Sequence, residues 1–540
     1  MTILFTFILS LIVTIALIPL LISVAIRAGI YDQPDARKVH SKPIPRIGGV
    51  AMALGALVLV LIYGAANTFA WAFLAGAVVI VVFGLLDDLF ELDFKVKFAA
   101  QIAASLIVVL YGGIRITRLG SLLPDDMILM EGIGIFLAVV AIVGVTNALN
   151  LTDGLDGLAG GITLLMLLCI GYLAWMDDDL FIVLVSAALA GSIFGFLRYN
   201  THPAILFMGD TGSQLLGFSA VCLSLSLTQK NTAFSPVLPL LILGWPILDT
   251  ATVMVKRMVE GRSPFAPDKG HFHHRLMALG LYQSEAVFVI YVFQSLLVAS
   301  AYLFRFHSES LLLGGYLVFA GLVLMLFHKV ECSGRLIPRF FLIEQVKKRL
   351  RRMREQGMFI RIAFQSLESF TFVLLIVFAL APAEIPRYFS LAAAAGCAIL
   401  AGVWFLGRRW VRWILNLFLY FFIPFLIYLS DIRMASWIKG APENLYNLSF
   451  LVVAILSFLT LRLTRRKKGF KTTPMDYLLV FLALVLVALP GLREQFGPLG
   501  VKMILMFFAC EIILGEVRDK LGKPALLTFL AVAVVAVRGF

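Results

Sequence analysis

The sequence predicts an all-α polytopic integral membrane protein, and two observations carry that prediction. Hydrophobic residues make up 61% of the 540-residue chain, charged residues make up only 14%, and the mean hydropathy is +0.98. Apolar runs of about 17–25 residues, each long enough to cross a bilayer as a helix, recur to the end of the chain. So few charges could not cover so much apolar surface, so a soluble protein is excluded.

The apolar runs predict about 11 transmembrane helices before residue 329 and about 7 more after residue 357. The first run lacks a basic segment before it and is longer than a signal-peptide core, so we expect it to be retained as a span. The expected spans lie near residues 3–26, 47–66, 70–86, 98–113, 131–147, 158–175, 180–197, 214–229, 235–255, 285–304, 310–328, 359–381, 388–406, 410–430, 446–462, 476–490, 498–514 and 523–537.

Basic residues are concentrated in alternate loops, and this bias predicts the orientation of the chain. The basic loops are 27–46, 87–97, 147–157, 198–212 and 256–275. The positive-inside rule places them in the cytoplasm and the N-terminus outside. The net charge of +13 is therefore attributed to cytoplasmic loops and not to nucleic-acid binding. The five cysteines are scattered without metal-ligand spacing, so packing is their expected role.

The stretch 329–357 is basic and predicts a linker between two domains. It is amphipathic enough to form a helix along anionic head groups, which attract such clusters by about 1 kcal/mol per basic residue. We therefore expect a first domain at 1–328 and a C-terminal transmembrane extension of unknown role at 358–540.

A polar stretch, Asn147–Gly160, lies between two long apolar runs and organises the first domain. A carboxylate at bilayer depth costs roughly 2.5–3.5 kcal/mol, so its acids must lie at a membrane face or in a wet cavity. The spacing of three between Asn147 and Asn150, and between Asp153 and Asp156, lets each pair share a helical face or turn. Such hard oxygen ligands suit Mg²⁺. The alternative is a connector built from Asx turns.

Two adjacent acids, Asp87 and Asp88, end the third span, and Lys97 follows ten residues after the first of them. Neighbouring carboxylates repel, which raises one pKa and suits that group to accept a proton. Lys97 could pair with an anion. The alternative for the acids is a charged cap at the end of a helix.

Two further loops carry candidate binding residues. Lys42 and Arg46 could meet a phosphate, or they could be a basic flank that ends a helix. Asp210 lies between glycines at the mouth of a span, where Thr211 or Ser213 could N-cap the helix and direct its positive end at an anion. Phe207 could stack on a base or anchor the chain at the interface.

The last polar loop holds four basic side chains, His271, His273, His274 and Arg275. A zinc site is the obvious rival, but no cysteine and no HExxH spacing supports it. The cluster is better suited to pyrophosphate or sugar oxygens. Together, acids, amides and bases in five loops on one face predict Mg²⁺-dependent phosphoryl transfer between a lipid and a soluble substrate.

The ordered motifs DDLFEL, NALNLTDGLDGLAGG, FMGDTGS and HFHHRL resemble the polyprenyl-phosphate N-acetylhexosamine-1-phosphate transferase family, the MraY/WecA-like translocases of the glycosyltransferase 4 class. The resemblance covers about residues 1–330, and the HFHH form resembles the WecA-like branch. Members transfer a phospho-sugar from a UDP-sugar to undecaprenyl phosphate, release UMP and use Mg²⁺. The spans after residue 329 depart from the usual family length.

The resemblance implies a role for each motif position. The expected catalytic positions are Asp87, Asp88, Asp153 and Asp156. The expected substrate-binding positions are Lys97, Asn147, Asn150, Phe207, His271, His273, His274 and Arg275, and the basic loop adds Arg46. Asp210 and Asn150 are the expected Mg²⁺ ligands.

With this resemblance, we expect an in-line attack of undecaprenyl phosphate on the β-phosphorus of a UDP-N-acetylhexosamine such as UDP-N-acetylglucosamine. The product would begin a lipid-linked cell-envelope polysaccharide at the bacterial inner membrane, and added UMP should reverse the reaction. A covalent aspartyl intermediate is the weaker alternative. A glycolipid flippase is the rival class, although it would need paired ionisable residues near span centres. No nucleic-acid partner is expected, and a homodimer stays open.

Overall fold

The structure is a computed structural model, and it confirms the all-α polytopic class. It describes residues 2–32, 43–63, 67–124, 127–230, 232–263, 270–333, 357–404, 408–432, 434–436, 438, 441–463, 497–517 and 522–539. Within these ranges, twelve helices are long and apolar enough to cross a membrane. Shorter apolar helices are Gly48–Ile62, Arg387–Val403 and Pro524–Arg538.

The described helices before residue 334 form one compact unit. They are α1 (Thr2–Ala28), α2 (Gly48–Tyr63), α3 (Thr68–Phe90), α4 (Phe94–Leu106), α5 (Glu131–Thr152), α6 (Leu158–Met176), α7 (Leu180–Asn200), α8 (Gly209–Thr228), α9 (Leu238–Ile242), α10 (Gly244–Val259), α11 (Phe272–Ala278), α12 (Gln283–Leu303) and α13 (Glu309–Cys332). A π-helical turn, Ile107–Tyr111, continues α4. A short antiparallel ribbon pairs β1 (Tyr31–Asp32) with β2 (Ile44–Pro45).

The helices before residue 334 differ from the predicted spans in two respects. The span expected near 235–255 is two helices, α9 and α10, which meet at Leu243. Pro246 explains the break, because proline has no N–H to continue the ladder and is tolerated only in a first turn. In addition, α3 and α5 run further than expected and α8 begins earlier. Asp87, Asn150 and Asp210, which the sequence placed in loops, therefore lie in helix ends.

Glycines bring the first turn of α8 into close contact with α2 and α3. A Cβ on Gly49 would lie 2.2 Å from the Gly212 nitrogen, and one on Gly84 would lie 2.6 Å from Thr211 Cα. Real Cβ atoms do not approach backbone so closely, so only glycine permits these contacts. The start of α8 is thereby fixed against α2 and α3, close to where α3 carries its paired acids.

The described helices from residue 357 onward form a second compact unit. They are α14 (Gly357–Leu380), α15 (Arg387–Trp404), α16 (Arg408–Ile432), α17 (Ala441–Leu463), α18 (Gly497–Val517) and α19 (Gly522–Arg538). The predicted span near 476–490 and most of the predicted basic linker, from residue 334 to 356, lie outside the described residues.

Candidate active site

Two carboxylates from different helices converge on one ammonium group. Lys97 Nζ, on α4, lies 2.5 Å from Asp87 Oδ2 and 3.3 Å from Asp210 Oδ2. Asp87 comes from the last turn of α3, where its other oxygen accepts a hydrogen bond from Leu92 N at 2.8 Å. Asp210 comes from the first turn of α8. Residues far apart in sequence thus form one acidic cluster around a single cation.

Asp88 faces the start of α8 and serves as its cap. Its carboxylate accepts hydrogen bonds from Asp210 N at 2.8 Å, Thr211 N at 3.0 Å and Thr211 Oγ1 at 2.7 Å. Gly209 has a φ of +69°, and a Cβ there would lie 2.5 Å from the Asp88 carboxylate oxygens. The expectation that Thr211 or Ser213 would N-cap α8 was wrong, because Asp88 of α3 satisfies the first backbone donors.

Asn150 holds the second oxygen of Asp210, and Ser213 in turn holds Asn150. Asn150 Nδ2 donates to Asp210 Oδ1 at 3.2 Å and to Ser213 Oγ at 2.8 Å. Ser213 Oγ in turn donates to Gly209 O at 3.0 Å. The predicted metal ligands Asn150 and Asp210 are therefore adjacent, and the amide nitrogen of Asn150 orients the carboxylate.

A chain of amides extends from this cluster into the helix packing. Asn147 Nδ2 donates to Gln101 Oε1 at 2.5 Å, and Gln101 Nε2 donates to Gln214 Oε1 at 3.1 Å. Gln214 Nε2 lies 3.5 Å from Asp210 Oδ2. Asn147, predicted to bind substrate, is thus placed in a network that links α4, α5 and α8 behind the carboxylates.

The two acids of the organising stretch, Asp153 and Asp156, have different surroundings. Burial raises the pKa of Asp153 to about 7, and the negative charges of Asp210 and Asp156 act in the same direction. Asp156 Oδ2 instead contacts His202 Nδ1 at 2.8 Å and accepts a hydrogen bond from Ala204 N at 3.1 Å. Asp153 is therefore within the electrostatic reach of the cluster, whereas Asp156 binds the segment that precedes α8.

Gly157 fixes the turn that joins α5 to α6. It has a φ of +80°, which glycine adopts without strain. Its N–H donates to the buried Asn200 Oδ1 at 2.9 Å, and its carbonyl accepts from Tyr291 Oη at 2.7 Å. Asn200 Nδ2 also donates to Leu206 O at 2.9 Å, so one amide ties this turn to the segment before α8.

Arg46 and Phe207 lie side by side at the entrance of α2. Their backbones form a parallel bridge, and Gly48 N donates to Phe207 O at 2.9 Å. The Arg46 guanidinium forms an ion pair with the buried Asp32 of β1. Phe207 is half-buried. The structure thus directs Arg46 to a carboxylate, and Lys42 lies outside the described residues.

The histidine segment, residues 271–275, is held by a buried acid on α10. Asp249 Oδ2 lies 3.1 Å from His271 Nδ1, and Asp249 Oδ1 accepts from Phe272 N at 2.8 Å. The rings of His271 and His273 stack with centroids 5.8 Å apart. A Cβ on Gly154 would lie 2.3 Å from His273 Nε2, so this ring packs against the turn after Asp153. Burial lowers the pKa of His273 to about 3.

The remaining two residues of the segment, His274 and Arg275, have different partners. The His274 ring packs against the His273 ring with centroids 4.2 Å apart. Arg275 forms two hydrogen bonds to Glu331 of α13, at 2.7 and 2.9 Å, and its guanidinium lies 4.9 Å from the Phe327 ring centre. Within the described part of the chain, no three His, Cys, Asp or Glu side chains group as a metal site would need, so the zinc alternative gains no support.

Sequence reasoning missed several residues that build this site. They are Asp32, Gln101, Asn200, Gln214 and Asp249. Asp249 had the clearest signal, because an acid inside an apolar run is costly unless it is paired. Asn200 and the two glutamines had none, since a single amide in a helix is ordinary and its partner is set by the fold.

Comparison with known proteins identifies the family of the chain. Residues 70–228, which include Asp87, Lys97, Asn150 and Asp210, match the sequence profile of glycosyl transferase family 4. The chain is 38% identical over 348 residues to a probable undecaprenyl-phosphate N-acetylglucosaminyl 1-phosphate transferase of Bacillus subtilis, covering 64% of this chain and 96% of that protein.

Two further relatives align with this chain over a similar number of residues. The undecaprenyl-phosphate alpha-N-acetylglucosaminyl 1-phosphate transferase of Escherichia coli K12 is 31% identical over 339 residues, covering 61% of this chain and 91% of that protein. The decaprenyl-phosphate N-acetylglucosaminephosphotransferase of Mycobacterium leprae is 34% identical over 325 residues, covering 54% and 81%. This chain belongs to glycosyl transferase family 4, and it is a multi-pass membrane phosphotransferase of the polyprenyl-phosphate N-acetylhexosamine-1-phosphate class.

Proposed function

We propose that the enzyme transfers N-acetylglucosamine 1-phosphate from UDP-N-acetylglucosamine to undecaprenyl phosphate and releases UMP, beginning a lipid-linked cell-envelope polysaccharide. The names of the three relatives support this choice of sugar and of lipid class. The observation that carries it is the convergence of Asp87 and Asp210 on Lys97 Nζ, at 2.5 and 3.3 Å. Such a cluster can hold a cation between two phosphate-bearing substrates.

The donor atoms at this point fit Mg²⁺. Two carboxylates already share one cationic group there, and Mg²⁺ commonly takes one or two carboxylates and completes its shell with water and substrate phosphate. Asp210 would be the principal protein ligand, with Asp87 and the amide oxygen of Asn150 beside it. When bound, Mg²⁺ would neutralise charge on the donor diphosphate.

The protein groups divide the remaining work. An oxygen of undecaprenyl phosphate attacks the β-phosphorus of the donor; a new phosphoanhydride forms, and the bond from the β-phosphorus to the bridging oxygen breaks, so that UMP leaves with that oxygen. Asp87 holds the acceptor phosphate and takes its proton when the phosphate arrives protonated. Lys97 pairs with the phosphate charge, and Asp88 fixes the first turn of α8, which carries Asp210. Positioning and charge stabilisation supply most of the rate.

An apolar cleft beside the cluster suits the acceptor's hydrocarbon chain. It has a volume of about 360 Å³ and lies between α3 and α4. Its lining residues are Phe83, Lys95, Val96, Ala99, Ala100 and Ala103. Because Asp87 and Lys97 lie on the same two helices, a chain in this cleft would carry its phosphate to the acidic cluster.

The orientation follows from the basic loops. We place the acidic cluster at the cytoplasmic face of the bacterial inner membrane, where UDP-sugars are made, and the N-terminus outside. Assembly as a homodimer stays a prediction.

Transfer and its reversal test the proposal directly. Purified full-length protein with undecaprenyl phosphate, Mg²⁺ and UDP-N-acetylglucosamine radiolabelled in the sugar should produce labelled lipid, and chelation should stop it. UDP-N-acetylgalactosamine and UDP-N-acetylmuramoyl-pentapeptide serve as competing donors. Because one phosphoanhydride replaces another, adding UMP should regenerate labelled UDP-sugar. Lipid labelling only from a different donor, or failure of UMP to reverse the reaction, would contradict the proposal.

A further inference from the structure

A buried carboxylate on α10 lies outside the acidic cluster. Asp249 is 1% exposed and is surrounded in sequence by the apolar residues of α10. A charge in such a place is expensive unless partners compensate it. Asp249 must therefore be compensated by the groups that it contacts.

Both carboxylate oxygens of Asp249 are used at the start of α11. Asp249 Oδ1 accepts from Phe272 N at 2.8 Å, and Asp249 Oδ2 lies 3.1 Å from His271 Nδ1. An ionised carboxylate can only accept, so Nδ1 of His271 carries the proton. The acid thus sets both the orientation and the tautomer of the ring, and Nε2 is the nitrogen left for another partner.

His271 is in turn fixed relative to the acidic turn after α5. Its ring stacks on the His273 ring with an interplanar angle of 11°. The His273 ring contacts Gly154, the neighbour of Asp153. A movement of His271 would therefore disturb the His273 ring and its packing against Gly154, next to Asp153 of the candidate site.

We propose that Asp249 is a positioning residue for the donor substrate: it holds His271 with its proton on Nδ1, so that Nε2 accepts a hydrogen bond from a sugar hydroxyl of the UDP-sugar. This inference rests on the proposed function, because it takes the donor from there. Asp249 touches no substrate and acts through His271.

The substitution Asp249→Asn reverses one hydrogen bond and keeps the other. The Asn carbonyl can still accept from Phe272 N, whereas its NH₂ group now donates to His271 Nδ1. The ring must then carry its proton on Nε2. An Nε2 that carries the proton can no longer accept, so we expect the dissociation constant for UDP-N-acetylglucosamine to rise at least about tenfold, the scale of one hydrogen bond lost with its partner left unsatisfied. UMP lacks the sugar, so its affinity should not change.

A double-mutant cycle separates positioning from a general structural role. Binding of UDP-N-acetylglucosamine and of UMP is measured by calorimetry on detergent-solubilised full-length protein, with melting temperature as the check on folding. If Asp249 acts through His271, the D249N/H271A variant binds the donor no more weakly than H271A alone. Asp178→Asn is the matched control, since Asp178 is exposed with a φ of +56°, which Asn tolerates.

The outcomes are distinct from those of the transfer assay. Unchanged donor affinity in D249N, an equal loss of UMP affinity, or a loss that persists in the H271A background would overturn the inference. Donor binding that follows the expected pattern without any transfer would support the inference and contradict the proposed function. A wild-type protein that binds no UDP-N-acetylglucosamine would overturn both.

Discussion

The two units of the chain use their ionisable residues in different ways. In the first unit, Lys97 is shared between Asp87 and Asp210. In the second unit, Lys502 Nζ contacts both oxygens of Asp431 at 2.8 Å. That second pair is completed by Tyr446, whose hydroxyl donates to Asp431 and whose ring lies 4.8 Å from the same ammonium.

The difference separates a site from a structural pair. A lysine shared by two acids can exchange one carboxylate partner for a phosphate when the substrate binds, so the cluster can respond to a ligand. The Lys502–Asp431 pair already has its charges matched and its geometry closed, which suits the end of a helix bundle. Asp431 is near the end of α16 and Lys502 near the start of α18, so this pair is not at a span centre, where a transport pathway would require one. The role of the second unit therefore stays unassigned.

Removing one shared acid should have the largest effect. In Asp210→Asn, the cationic group between Asp87 and Asp210 loses one of its two carboxylate partners. Turnover should then fall by about 10³-fold or more, as when a preorganised electrostatic group is lost. Initial rates of lipid labelling measure it. The matched variant is Asp431→Asn, which breaks the closed pair and should lower the melting temperature while turnover stays near the wild-type value. Loss of turnover in Asp431→Asn would mean that the second unit takes part in the chemistry.

Asp88 should show a smaller loss, because its carboxylate holds the first turn of α8 and we expect Asp87 to take the proton. An Asn at this position presents an NH₂ group to backbone donors, so the first turn of α8 shifts. We expect a loss of about 10²-fold, the scale of a misplacement near 1 Å. Asp87→Asn in the same assay should lose more.

The control for the Asp88 variant is Asp93→Asn. Asp93 N-caps α4 with a hydrogen bond from Lys95 N at 3.2 Å, and Asn is an equally good cap. Its turnover should be unchanged. If Asp88→Asn lost as much as Asp87→Asn with the start of α8 intact, Asp88 would be the proton acceptor.

The sequence was a good guide to elements and to chemistry. Long apolar runs dictate spanning helices, and the positions of the paired acids, the Asn150 stretch and Asp210 could be read because such residues are costly inside a bilayer. The ends of the helices could not be read so well. Asp87, Asn150 and Asp210 were placed in loops, yet they lie in helical turns, since a polar residue can continue a helix when a tertiary partner satisfies it.

Tertiary partners were the part that could not be predicted. Nothing local indicates that Asp88 caps a helix 122 residues later, or that Arg46 pairs with Asp32. The arrangement of the histidines also depends on the break between α9 and α10, which the predicted single span concealed. Such pairings are properties of the packed bundle, and only the geometry reveals them.

The smallest expected effect concerns the pH dependence of stability at His273. Its folded pKa of about 3 lies below the ordinary value of 6.5, because burial disfavours the charged ring. The unfolded chain therefore binds more protons between these values, and stability falls as the pH drops below 6.5, by at most about 1.4 kcal/mol per unit from this one group. His273→Gln should lose this part of the slope in melting temperature between pH 7 and 5. His307→Gln, at an exposed histidine, should keep it, and equal slopes in the two variants would show that His273 is charged in the folded protein.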